Sequence, residues 1–178
     1  MKIRNLFLLT SLIIFFISST SLSQTDTSKA GTWNFKYEPK FAGGQVEAVI
    51  MPPLLGELGG LLDVDLFRNK DVQNHYIGLR LAVELYGYGS PGGQSETFGD
   101  ICVYGRTSLR FSEIRIDAYL GLYYHTGNRE AGGILPRGGL EAKYIPFGNY
   151  FAVMLKGSTS FKRDSGFYGF GIAFGYFN

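Results

Sequence analysis

Residues 166–178 read GFYGFGIAFGYFN, and the reading of the whole chain turns on them. Tyr168, Phe170, Ile172, Phe174 and Tyr176 fall on alternate positions, with Gly169, Gly171, Ala173 and Gly175 between them. Side chains that alternate with period two point to opposite faces of a β-strand. One face of this strand is therefore bulky and apolar, and the other carries little beyond backbone. A strand of a water-soluble sheet turns polar groups to its second face, yet no charged residue follows Asp164. The bulky face is expected to meet lipid, as the outer face of a membrane-spanning barrel strand does.

The same parity runs through the segments upstream. In residues 75–87, Ile77, Leu79, Leu81, Val83 and Leu85 oppose Arg80 and Glu84. In 99–111, Ile101, Val103, Thr107, Leu109 and Phe111 oppose Cys102, Tyr104, Arg106 and Arg110. In 114–125, Ile116, Ala118, Leu120 and Leu122 oppose Arg115, Asp117, Tyr119 and Tyr123. Leu140, Ala142 and Tyr144 oppose Glu141 and Lys143, and Val153 and Leu155 oppose Met154 and Lys156. Leu62, Val64 and Leu66 oppose Asp63 and Asp65, while Val46, Ala48 and Ile50 oppose Glu47.

No Arg, Lys, Asp or Glu falls on the apolar face of these segments. A single Arg or Lys there, at the midplane of a bilayer, would cost about 2–4 kcal/mol. The opposite face holds six acids (Glu47, Asp63, Asp65, Glu84, Asp117, Glu141) and six bases (Arg80, Arg106, Arg110, Arg115, Lys143, Lys156). Equal numbers imply paired charges inside a closed lumen, since buried charges persist when matched and hydrogen-bonded.

With the terminal stretch, the pattern predicts eight strands, near residues 43–51, 60–67, 75–87, 99–111, 114–125, 137–145, 150–161 and 166–177. The fold class expected is all-β, an antiparallel up-and-down transmembrane barrel. Short turns at 112–113 and 146–149 alternate with longer connections at 88–98 and 126–136, which places both termini on the short-turn side. Before the first strand, Trp33, Phe35 and Tyr37 keep odd parity whereas Val46, Ala48 and Ile50 keep even parity. A phase change at Gly43-Gly44 is what a β-bulge within one long strand produces. The alternative is a separate strand and a count of ten; eight is the reading adopted.

Residues 1–23 read as a cleaved export signal: Lys2 and Arg4, an apolar stretch over 6–17, then Ser21-Leu22-Ser23. The chain divides accordingly into this signal, a lead or bulged strand start over 24–42, and a barrel domain over 43–178. Loss of Lys2 and Arg4 lowers the 17 basic residues to 15, equal to the 15 acidic ones, so no basic excess remains for nucleic acid. The lone cysteine, Cys102, reads as a packing residue, and no Cys/His spacing suggests a metal or other cofactor.

This pattern resembles the small, eight-stranded outer-membrane β-barrel superfamily of diderm bacteria. Gly171, Phe174 and Tyr176 match the spacing of that family's C-terminal insertion signal; Gly169, where a polar residue is usual, and the trailing Phe177-Asn178 depart from it. The resemblance implies a monomer in the outer membrane, with membrane lipid and the barrel-insertion machinery as its partners.

An eight-stranded barrel has an interior just wide enough for its own side chains. With Tyr76, Tyr86, Tyr104, Tyr119, Tyr123 and Tyr150 assigned inward, a filled lumen is expected, and with it a structural or surface-interaction role through loops 52–59, 88–98, 126–136 and 162–165. Two other readings compete. Residues 124–128 resemble the His-x-Ser-Asn element of lipid A deacylase barrels, but Gly127 stands where the nucleophilic Ser belongs, so no catalytic residue is assigned. His125 then simply closes a Tyr-rich strand end, and His75 reads as an interfacial residue. A soluble, exported, lipocalin-like barrel would turn the apolar face inward around a hydrophobic ligand. The bare glycine face of the last strand opposes it, as do aromatics near strand ends (Trp33, Tyr86, Phe111, Tyr124, Tyr144, Phe161, Tyr176).

Overall fold

The structure, a computed structural model, describes residues 35–51, 55–69, 72, 74–89, 95–126, 133–160 and 166–178. Eight antiparallel strands close into a single ring: β1 (Phe35–Met51), β2 (Leu55–Asn69), β3 (His75–Gly89), β4 (Ser95–Phe111), β5 (Ile114–His125), β6 (Ile134–Phe147), β7 (Phe151–Ser160) and β8 (Gly166–Phe177). Each strand pairs with its neighbours in sequence, and β8 returns to β1, so no sheet edge is left along the paired length. The predicted export signal, Trp33 and Phe161 lie outside the described residues.

The alternating faces sort as charge pattern and hydropathy require. Leu81, Val83, Ile101, Leu120, Leu155 and Phe170 are exposed on the outside, while Arg80, Glu84, Arg115, Asp117 and Lys143 are almost wholly buried inside. That is the inverse of a soluble ligand-binding barrel, in which the apolar side chains converge on the lumen. The terminal strand follows its own alternation: Tyr168, Phe170, Ile172, Phe174 and Tyr176 face out, and Gly171 and Ala173 are buried.

Residues 35–51 form one strand, whose register against β2 slips between Tyr37 and Lys40 and again between Phe41 and Gly43. The second slip lies just before the glycines where the parity changes. Pro39 lies within the first, where its missing N–H costs no ladder bond. On its other side β1 meets β8 only from Gly43 to Ile50, so Phe35–Phe41 extends past the ring, paired with β2 alone.

Turns at the terminal end are tight. Ser112 takes a positive φ between β4 and β5, and Gly148 and Asn149, both types that tolerate the left-handed region, do so between β6 and β7. The strands run further than the sequence pattern indicates at the opposite end. Residues 55–59 belong to β2, 88–89 to β3 and 95–98 to β4, so these parts of the expected loops 52–59 and 88–98 are strand. β6 likewise begins at Ile134 rather than after residue 136.

Two aromatic assignments change. Tyr150, expected inside, sits in the turn before β7 with 65% of its surface exposed, its ring 6.3 Å from that of Tyr176 on the outside. Tyr86, placed among the strand-end aromatics as well as in the lumen, belongs to the lumen alone, 1% exposed. The turn preceding Phe151 breaks the strand alternation, so parity carried back to residue 150 points the wrong way.

The charged interior as candidate functional site

Neighbouring strands deliver the charges to one another by register. Asp63 on β2 lies opposite Arg80 on β3, and Glu141 on β6 opposite Lys156 on β7. Directly opposite residues of unlike charge attract at the distance where side chains meet across a ladder. The ring then lets side chains reach across the lumen to strands that are not neighbours.

Nearer the termini, nine groups form one cluster. Arg80 Nε donates to Asp63 at 2.7 Å, its Nη2 to Asp117 at 3.1 Å, and its Nη1 lies 2.8 Å from Glu141. Arg106 contacts Asp65 at 2.5 Å and Asp117 at 3.1 Å, and Arg110 contacts Asp65 at 2.7 Å. Arg115 bridges Asp117 at 2.9 Å and Asp63, while Lys143 lies 2.7 Å from Glu141. Arg80 also stands over the Tyr119 ring, and Arg110 over that of Tyr76, guanidinium on aromatic face.

Toward the loop end a second cluster is centred on Lys156. Its ammonium sits 2.6 Å from Glu47, 3.1 Å from Glu84, and also against Glu57. Glu84 accepts from Tyr86 at 2.6 Å and from Arg137 at 2.7 Å. Arg137 extends the chain to Asp100 at 2.5 Å, and Asp100 pairs with His125 Nδ1 at 2.8 Å. The Arg137 guanidinium lies 3.9 Å over the Tyr123 ring. Cys102, 1% exposed, directs its thiol at Glu84 from 3.6 Å and acts as a small filler on this wall.

All twelve charged residues named from the sequence line this interior: Glu47, Asp63, Asp65, Arg80, Glu84, Arg106, Arg110, Arg115, Asp117, Glu141, Lys143 and Lys156. Three further ones, Glu57, Asp100 and Arg137, were not identified by that pattern and are equally buried. Their signal was parity: Glu57 is in phase with Asp63, Asp100 with Cys102, and Arg137 with Glu141. Glycines at 59, 60, 138 and 139 obscure the phase, because they show no preference for either face.

Glu47, Glu57 and Glu84 each offer an oxygen within 4.8 Å of the others, the spacing of a cation site. Lys156 already supplies the cation there, so this donor set does not fit a metal ion. The Asp100–His125 pair has the spacing of the orienter and base in a catalytic triad, without a described nucleophile beside it. Among the described residues no hydroxyl or thiol is hydrogen-bonded to His125, whose ring packs 5.3 Å from Phe98; residue 127 lies outside them. His75, 8% exposed, is held at the start of β3 by Thr107 at 2.7 Å.

A closed eight-stranded ring, apolar outside and charged within, is the architecture of the small transmembrane β-barrels. A designed transmembrane β-barrel has a similar fold, with TM-score 0.52, 14% identity, and coverage of 81% of this chain and 99% of the design. The N-terminal barrel domain of Pseudomonas aeruginosa OprF matches with TM-score 0.45 and 13% identity over 78% of this chain and 100% of that one. The Yersinia pestis outer membrane protein Ail, solved in a phospholipid bilayer nanodisc, matches with TM-score 0.45 and 13% identity over 76% and 99%. No protein-family model matches the sequence, and no curated protein matches it.

Proposed function

We propose that the chain is an outer-membrane β-barrel whose lumen is sealed by its own side chains, and that it serves a structural or surface-interaction role through the loops opposite its termini. The observation that carries this is the sorting of faces. Every outward side chain of the strand centres is apolar or small, and fifteen charges are sequestered inside. In water that arrangement would expose a continuous apolar belt and bury charge, both unfavourable; in a bilayer the belt is solvated by lipid. The interior charges are close to balance, eight acids to seven bases among the described residues. Such a lattice favours rigidity over passage. The insertion machinery and lipid are the partners this reading needs, with Gly171, Phe174 and Tyr176 on β8 offered as the recognition element.

The test is to express the full chain in a diderm host and fractionate the envelope. Recovery with outer membranes, and a faster-migrating species in an unboiled than in a boiled denaturing gel, are expected. A monomer recovered in the periplasmic extract without detergent would overturn the reading.

A further inference from the structure

Toward the termini, the inner face of β4 carries Arg106, Ser108 and Arg110 at three successive inward positions. Arg106 reaches Asp65 through Nη2 at 2.5 Å and Asp117 through Nη1 at 3.1 Å, and Arg110 reaches the same Asp65 through Nη2 at 2.7 Å. The two guanidinium groups therefore meet on one carboxylate, with Ser108 between them on the strand. Arg80 and Arg115 direct their Nε atoms at Asp63 and Asp117. By contrast, the buried Nε atoms of Arg106 and Arg110 have no acceptor among the described residues. The hydroxyl of Ser108, a residue 1% exposed, likewise has no partner there. Buried polar groups are normally satisfied, so three unmatched donors on one strand face call for an acceptor. Tyr76, opposite Ser108 on β3, flanks the group with its ring 4.2 Å from the Arg110 guanidinium. Arg110, with 15% of its side chain exposed, opens the group toward the terminal end.

We infer that these donors bind a monovalent anion of chloride's size between Arg106 and Arg110, at the terminal mouth of the lumen. The charge balance points the same way. The cluster nearer the termini holds five bases and four acids, a surplus of one positive charge. Buried charge without a counter-ion is unfavourable, and one monovalent anion offsets this surplus. A water molecule would accept from two of the donors, would have its own hydrogens to place, and would leave the charge as it was. Chloride accepts from all three, has no hydrogens and prefers no direction. A divalent anion would exceed the surplus, and would do so beside Asp65. The site lies in the interior and does not depend on which solvent meets the outer face.

The test measures the chloride nuclear magnetic resonance line width in sodium chloride solutions of the purified protein, folded in non-ionic detergent. Chloride that exchanges with a site on a slowly tumbling particle broadens the resonance. Wild type is expected to give broadening that saturates as chloride is added. Ser108→Ala, which removes one hydroxyl, should raise the half-saturating concentration about fivefold. Arg110→Gln removes a donor together with the surplus charge and should abolish the saturable part. Where that variant fails to fold, Ser108→Ala carries the test alone. Lys36→Gln is the control, since Lys36 lies at the same end with 59% of its side chain exposed and takes no part in the site. It is expected to match wild type. Absence of saturable broadening in wild type would overturn the inference and leave water as the acceptor. Equal half-saturation in wild type and Ser108→Ala would also overturn it. So would an equal loss in Lys36→Gln, the signature of ions gathered by exposed bases.

Discussion

Lys156 illustrates how much one side chain can hold in such an interior. Its ammonium is the shared counter-ion of Glu47, Glu57 and Glu84, all buried. Removing one partner from a buried ionic set leaves uncompensated charge, at a cost of roughly 3–5 kcal/mol. Lys156→Met is therefore expected to lower the urea midpoint of the detergent-folded barrel, read by loss of the compact gel species. The vacated position would be lined by three carboxylates 4.8 Å apart or less. Calcium, which takes oxygen ligands, should recover part of the lost midpoint in Lys156→Met and have no such effect on wild type. At this scale the sequence was legible wherever side chains marked the phase. Arg80 and Glu84 sit in unbroken alternation and needed only counting, whereas Glu57 and Arg137 lie beyond glycine pairs that say nothing about facing. Which carboxylate each base touches was not legible, because Lys156 and Glu57 belong to strands that are not neighbours in the ring.

At the scale of the strand, glycine decides how closely elements approach. Tyr119 on β5 lies across β6 at Gly139, where an added Cβ would come 2.4 Å from its hydroxyl and 2.5 Å from the carbonyl of Gly157. Both distances are below van der Waals contact, and the second involves backbone, which has little room to yield. Gly139→Ala is expected to destabilise the barrel by about 1–3 kcal/mol through overpacking. Gly56→Ala, whose methyl would enter open space, should change stability by less than about 0.5 kcal/mol. Comparing the two urea midpoints checks the contrast; equal shifts would mean that the approach of Tyr119 does not govern the site. The strands themselves were largely readable from period-two alternation. Their outer ends were not, since residues 55–59 and 95–98 carry few of the bulky residues that reveal a phase and still pair across the ladder.

For the whole molecule, the consequence of filling is electrical. Arg80, Arg115, Tyr86, Tyr104 and Lys143 are each less than 2% exposed inside the ring. Moving an ion past them would require parting buried ion pairs, which costs several kcal/mol for each charge left unpaired. Planar bilayers containing the purified barrel should therefore show no unitary current steps at moderate voltage. Regular open-channel events would show that the charged lattice parts readily. The closed ring and its inside-out polarity were foreseeable from the balance of six acids and six bases.

The line where β1 meets β8 has a further implication. Strands β3 and β4 grip each other from His75 to Gly89, but β1 holds β8 only between Gly43 and Ile50. That short seam joins residues as distant in the chain as Gly43 and Phe177, so it carries the largest loop-closure entropy in the molecule. Pairings of such long range form late. Until this seam is sewn, the nascent sheet carries two raw margins of unpaired amides. Its chief hazard on the way to maturity is then fusing with other half-made sheets, more than mistaking its own strand order.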